Sequence, residues 1–271
     1  MQIIKPNTIE LVQGAGFHSM LQHIEYCGRT CYKSEDKITE DSCHRFVNML
    51  REHSHGAMLE HGTVYLTIPE NDVQEWAMSE ESNRYVLWIY FMRNLPYSKC
   101  IYSEGNYYIT TNYRVIIEND LEDFMNKYWA ECTDNHAKRR TFRITCNRGV
   151  SHEFVRHRVF SFAQESQRYV NYSKDKFNKE LKFIKPLYFE DNTIQYCLWL
   201  NSCTECEKHY MTLINNNATP QQAREVLTNA VATELIMTGF ESDWEQFFEL
   251  RCAKDAHPQA QEIANMIKEQ F

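Results

Sequence analysis

The sequence predicts an α+β fold. Apolar residues recur at helical spacing in some stretches and alternate strictly in others. These stretches are interspersed without the repeating strand–helix–strand rhythm of a doubly wound sheet. A third observation sets the scale. The chain has 271 residues, 43% of them hydrophobic, and no internal repeat or Pro/Gly/Ser-rich linker divides it. A single domain spanning 1–271 is expected.

The elements follow in chain order. Thr39 is placed to cap a helix over about 40–54, with Phe46, Val47 and Leu50 on its inner face. Thr63 to Ile68 alternates, with Val64, Leu66 and Ile68 on one face, which predicts a half-buried strand. Residues 107–117, rich in aromatic and β-branched types, predict another strand. Thr141 to Cys146 alternates again, Gly149 breaks the run, and a helix is expected from Ser151.

The last third predicts helices. Thr219 caps, Pro220 takes the first helical position, and Ala223, Val226, Leu227, Ala230, Val231 and Leu235 form a stripe ended by Gly239. Ser242 and Glu245 have the spacing of a capping box for a helix with Trp244, Phe247 and Phe248 inside. Pro258 opens a final helix to about Gln270.

Composition excludes several classes of function. Aromatic residues at 13% argue against disorder. A net charge of −8 is the opposite of a generic nucleic-acid binder, so an anionic ligand must be held by a local arginine cluster. The start, MQIIKPNTIELVQ, lacks a charged-then-apolar signal, and no apolar run approaches the ~20 residues of a membrane span. A cytoplasmic location is expected, and with it ten cysteines as free thiols.

Common motifs are absent or incomplete. There is neither a phosphate loop nor a GxGxxG turn. His152, Glu153 and His157 miss the zinc-protease spacing, because Arg156 stands where the second histidine belongs. Cys203, Cys206 and His209 make half a zinc site, and Cys27 and Cys31 are packing residues one helical turn apart. No resident metal is expected.

Residues 152–173 read HEFVRHRVFSFAQESQRYVNYS. Arg156, His157, Arg158 and Arg168 lie among Phe154, Val155, Val159, Phe160 and Phe162, so parts of this basic stretch are expected to be buried. Buried arginine requires a partner, and its planar fork suits phosphate or carboxylate. The pattern points to a small anionic ligand such as a nucleotide.

Arg156-His157-Arg158, seven residues, then Ser166 and Arg168-Tyr169 resembles the signature of the flavin-dependent thymidylate synthases of the ThyX type. The segment from His53 and His55 to Glu60 and His61, the turn Arg29-Thr30-Cys31, and the late arginines Arg224 and Arg251 extend the likeness over residues 1–68 and 141–271. The resemblance implies mixed helices with a central, largely antiparallel sheet and a family-specific insertion at about 70–140. It implies conversion of deoxyuridylate to thymidylate with methylene-tetrahydrofolate, NADPH and bound FAD, in homotetramers with shared active sites and no cysteine nucleophile.

By the same resemblance Arg251 is catalytic, favouring the enolate-like uracil. The nucleotide is held by Glu153, Arg156, Gln164, Ser166, Arg168, Arg224 and Arg251. FAD is held by His55, Glu60, Arg156, His157, Arg158, Gln164 and Gln246. The chain departs from the family pattern in several places. Ala163 and Gln164 replace Asn-Glu, and Glu153 replaces a glutamine. Ala57 replaces a hydroxyl residue. Phe240, Ser242 and Gln246 stand where Asn, Arg and Asn are usual. Loss of that arginine removes a phosphate contact, leaving Phe240 to stack on a ring and Gln246 to replace an amide. Another flavin-dependent one-carbon transfer to a pyrimidine nucleotide, and a nucleotide-binding protein without turnover, are the alternative readings.

Overall fold

The computed structural model describes residues 1–78 and 97–271. Part of the 70–140 segment, residues 79–96, lies outside the described residues. The strands are β1 (Gln2–Ile4), β2 (Asn7–Glu10), β3 (Thr63–Pro69), β4 (Lys99–Ser103), β5 (Asn106–Asn112), β6 (Arg139–Asn147), β7 (Ser161–Gln164), β8 (Lys182–Ile184) and β9 (Ala232–Phe240). Helices α1 (Gly16–Tyr32), α2 (Ser42–Glu52), α3 (Gly56–Leu59) and α4 (Glu70–Met78) belong to the first part of the chain. Next come α5 (Tyr113–Glu118), α6 (Glu122–Tyr128) and α7 (Arg148–Phe154). The C-terminal part holds α8 (Ile194–Asn215), α9 (Pro220–Ala223), α10 (Glu241–Arg251) and α11 (Pro258–Lys268). The expectation of an α+β fold holds.

The central sheet is antiparallel throughout, in the order β2-β6-β9-β7. Register assigns its two faces, because residues directly opposite in an antiparallel pair point the same way. Phe142 opposes Met237 and Ile144 opposes Leu235. These four pack with Trp244, Phe247 and Phe248 of α10 and with Ile263, Ala264 and Ile267 of α11. Trp244 is fully buried and its Nε1 donates to the Arg140 carbonyl. Burying such a ring contributes about 3 kcal/mol.

The other face carries Thr141 opposite Thr238 and Arg143 opposite Ile236. There α1 and α3 cover it. Cys27, Met58, Ala163 and Ile236 share one small cluster. A second core joins α1 and α2 to β3, β5, α5 and α6, through Leu21, Ile24, Phe46, Leu50, Val64, Leu66, Ile109 and Phe124. A three-stranded antiparallel sheet, β3-β5-β4, belongs to it, so the described part of 70–140 is built into the core.

Several sequence expectations are corrected. The predicted helix over 219–239 is a single turn, α9, followed by a 3-10 turn and then by β9. Thr219 and Pro220 do open a helix, with Gln222 accepting from the Thr219 N–H. The stripe beyond it fails because its members are divided among a helical turn (Ala223), a 3-10 turn (Val226), the segment before the strand (Leu227, Ala230, Val231) and β9, which holds only Leu235. Gly239 does not end an element; it is inside β9, where the Phe160 ring approaches its backbone.

Residues 107–117 form a strand only to Asn112, whose side chain accepts from the Val115 N–H and starts α5. Asn147 caps α7 in the same way, so that helix begins at Arg148 with Gly149 inside it. Thr39 is not a cap. Its N–H donates to Ser42 Oγ, and α2 starts at Ser42. The residue that caps α10 is Asp243, accepting from the Phe240 N–H at 3.0 Å, in place of the Ser242–Glu245 box.

Candidate active site

Helix α7 is the hub of the basic segment. It projects Ser151 towards the end of β7 and Glu153 towards the end of α10. Gln164 Nε2 donates to Ser151 Oγ at 2.8 Å and to Thr233 Oγ1 at 3.4 Å. Arg251, the last residue of α10, donates through Nη1 to the Glu153 carboxylate and through Nη2 to the Glu153 carbonyl, both at 2.8 Å. Its Nε donates to His157 Nε2 at 2.9 Å. Residues 94 and 98 positions apart in sequence thus form one fork.

That fork fixes the state of His157. Nε2 accepts, so the ring is neutral with its proton on Nδ1. Burial, then the charges of Arg251 and Arg156, push its pKa down to about 4. Arg156 and Arg158 flank it, both exposed, and among the described residues neither pairs with a carboxylate.

A second group forms just beyond the same end of β7. Ser166 N–H donates to the Cys31 carbonyl at the end of α1, and Tyr169 packs on Tyr32. Arg168 Nε donates to Gln221 Oε1 at 3.2 Å, three residues before Arg224. Ser166, Arg168 and Arg224 are therefore gathered against α1 and α9. Arg224 is half-buried, 3.5 Å from Glu225.

The remaining sequence candidates lie apart from these groups. His55 is exposed, beside His53. Glu60 is bound by Arg114 Nη1 at 2.7 Å. Gln246 is exposed on α10. Phe240 is 2% exposed and already covered by the cations of Lys99 and Arg139, so it offers no free face for stacking. Ser242 receives the Lys99 ammonium.

The sequence reading missed two buried polar clusters. Beside Gln164, the Glu165 carboxylate accepts from Tyr172 Oη at 2.7 Å and lies 4.0 Å from Lys33 Nζ, which pairs with Glu234 at 2.7 Å. Burial raises the Glu165 pKa. A cavity of about 530 Å³ opens on Lys33, Glu165, Tyr172 and Glu234. A smaller one, about 330 Å³, is lined on the other side by Glu153, Trp199, His257 and Gln259. The second cluster is a chain from His23 through Thr141 and Thr238 to His61, joined at 3.3, 2.8 and 2.7 Å. Burial lowers the His23 pKa to about 4 and the His61 pKa to about 3. The Lys33 group had no local sequence signal, because its members are distributed over 202 positions from Lys33 to Glu234. His61 stood within the quoted histidine segment, but its burial was not readable from spacing.

The scaffold and the arginine signature define a protein of a known class. Residues 121–271 match the family model described as thymidylate synthase complementing protein. The chain belongs to this family, as the Arg156–Arg168 signature implied.

Among curated relatives, the flavin-dependent thymidylate synthase of Pyrococcus furiosus is 33% identical over 165 residues, 59% of this chain and 66% of that protein. The enzyme of the same name from Geobacter sulfurreducens is 30% identical over 118 residues, 44% of this chain and 49% of that one. The chain thus spans between about half and just under two thirds of these relatives. A solved structure, the UMP/dUMP methylase PolB from Streptomyces cacaoi bound with 5-Br dUMP, aligns over 100% of this chain and 91% of its own at 14% identity, with a TM-score of 0.45.

Proposed function

We propose that this protein reductively methylates deoxyuridylate to thymidylate. Methylene-tetrahydrofolate donates the carbon, and NADPH is the reductant for a bound FAD. The observation that carries this reading is the fork of Arg251 on Glu153 and His157, set in a family whose relatives are named flavin-dependent thymidylate synthases.

Arg251 supplies the electrostatics. A guanidinium at the N3/O2 edge of uracil stabilises the negative charge that develops as carbon 5 becomes nucleophilic. Glu153 orients that guanidinium and Gln164 hydrogen-bonds the base. Arg168 and Arg224 hold the phosphate, with Ser166 beside them. Arg156 also contacts the nucleotide.

The residues present fit a flavin in part. Exposed Arg156 and Arg158 suit its pyrophosphate, and His157, kept neutral by burial and then by Arg251, lies between them in the chain. His55, Gln164 and Gln246 complete the set. Glu60, held by Arg114, positions α3 in this reading. The flavin, when bound, supplies the hydride. The protein acts as a homotetramer in the cytoplasm, a reducing compartment that suits a chain with ten cysteines. Residues 1–271 act as one catalytic unit, with 70–140 as an addition to the family scaffold.

The test is mass spectrometry of the nucleotide after incubation with FAD, NADPH, methylene-tetrahydrofolate and deoxyuridylate under low oxygen. Thymidylate is expected. A different adduct would replace this reading with another one-carbon transfer, the alternative motivated by the altered flavin positions, among them Phe240, Ser242 and Gln246. Unchanged deoxyuridylate on flavin-loaded protein would leave a binding role.

A further inference from the structure

His18 lies in the first turn of α1, and Cys43 and His44 lie in the first turn of α2. Packing of the two helices brings the three side chains together. His18 Nδ1 is 3.0 Å from His44 Nε2 and 3.8 Å from Cys43 Sγ. The three donor atoms all lie within 4.8 Å of one another. The two rings are tilted by 34° with centroids 5.1 Å apart.

We propose that His18, Cys43 and His44 form a binding site for a divalent transition-metal ion, with zinc the best match. Two imidazoles and one thiolate are the donor types zinc prefers, whereas magnesium and calcium call for oxygen. The distances suit it. Bond lengths of about 2.0–2.1 Å to nitrogen and 2.3 Å to sulfur in a tetrahedron require N···N and N···S separations of roughly 3.3 and 3.6 Å. Two of the observed separations are within a few tenths of an ångström of these values. The third closes by rotation of His44, which is exposed and unconstrained by the core.

Cys43 is fully buried and makes no disulfide, so its sulfur is fixed by packing. A water completes the shell on the open side at His44. Zinc binding displaces the thiol proton to solvent, and the resulting Zn–S bond replaces the S–H contact to His18. The ion would tie the start of α1 to the start of α2. Met20, Leu21, Ile24, Phe46 and Leu50 hold the helices together in its absence.

The probe is zinc itself, titrated into reduced, chelator-stripped full-length protein against a chromophoric chelator. Wild type is expected to take up one equivalent per chain and to melt at a higher temperature with zinc than without. His44→Ala and His18→Ala should lose that equivalent and the zinc-dependent shift, while His44→Ala melts like stripped wild type. Cobalt(II) should give a thiolate charge-transfer band with tetrahedral d–d absorption, both absent in Cys43→Ser. The proposal is overturned if wild type binds no stoichiometric zinc, or if both histidine variants retain the full equivalent through other thiols.

Discussion

Arg251 is the residue on which both the site's geometry and its proton inventory depend. In the proposed reaction, Arg251→Ala removes the charge that would stabilise the transition state, so kcat/KM should fall by about 10²–10³ in the thymidylate assay. It also removes a charge that depresses His157, whose pKa should rise from about 4 when followed by NMR. An unchanged His157 titration would mean that the fork does not persist in solution. The cluster was legible in sequence only through the signature and the late arginine. Nothing in the sequence showed that Glu153 and Arg251 would touch.

The buried histidines set an acid limit on stability. His23 and His61 have folded pKa values of about 4 and 3, against an ordinary 6.5. Below pH 6.5 the unfolded chain takes up protons that the folded chain refuses. Their contribution is therefore complete above pH 6.5 and is lost as pH falls towards 4. Each contributes a slope approaching 1.4 kcal/mol per pH unit in that window. Glu165 and Asp243, whose folded pKa values are raised by burial, act with the opposite sign. Urea unfolding between pH 7 and 5 should show stability falling with acidification, and His23→Gln should flatten the slope by about one proton. Equal slopes for variant and wild type would sink the assignment.

At the scale of elements, β9 shows where sequence reading fails. Strands such as Thr63–Ile68 and Thr141–Cys146 were legible because apolar and polar or charged side chains alternate along them, although both faces are covered in the fold. Strand β9 was missed because the apolar residues just before it, Val226, Leu227, Ala230 and Val231, join its Leu235 at helical spacing by chance. The same strand carries the clearest packing constraint. A Cβ at Gly239 would stand 2.5 Å from Phe160 Cδ1, and Phe160 is held edge-on by Trp244 at 4.6 Å. Gly239→Ala should therefore cost about 1–3 kcal/mol in urea unfolding, since overpacking shifts a ring that cannot retreat. The corrected cap of α10 is tested in parallel. Asp243→Ala should lose about 1 kcal/mol, while Ser242→Ala and Glu245→Ala stay within about 0.5 kcal/mol of wild type.

At the scale of the molecule, the two arginine groups approach the central sheet from different sides. Glu153, His157 and Arg251 belong to the side of α7 and α10. Ser166 and Tyr169 dock on the end of α1, which covers the opposite face, and Arg168 reaches from there to α9. With the proposed roles, in which Arg251 touches the base and Arg168 the phosphate, the proposed homotetramer would bind one nucleotide between two chains, each giving one face. This arrangement predicts complementation. Arg168→Ala and Arg251→Ala should each be nearly inactive alone. Mixed and reassembled at equal amounts, they should recover up to about a quarter of wild-type activity, because one site in four draws both intact arginines from different subunits. If each chain instead built a whole site, every site in the mixture would carry one lesion, and activity would stay at the level of the single variants.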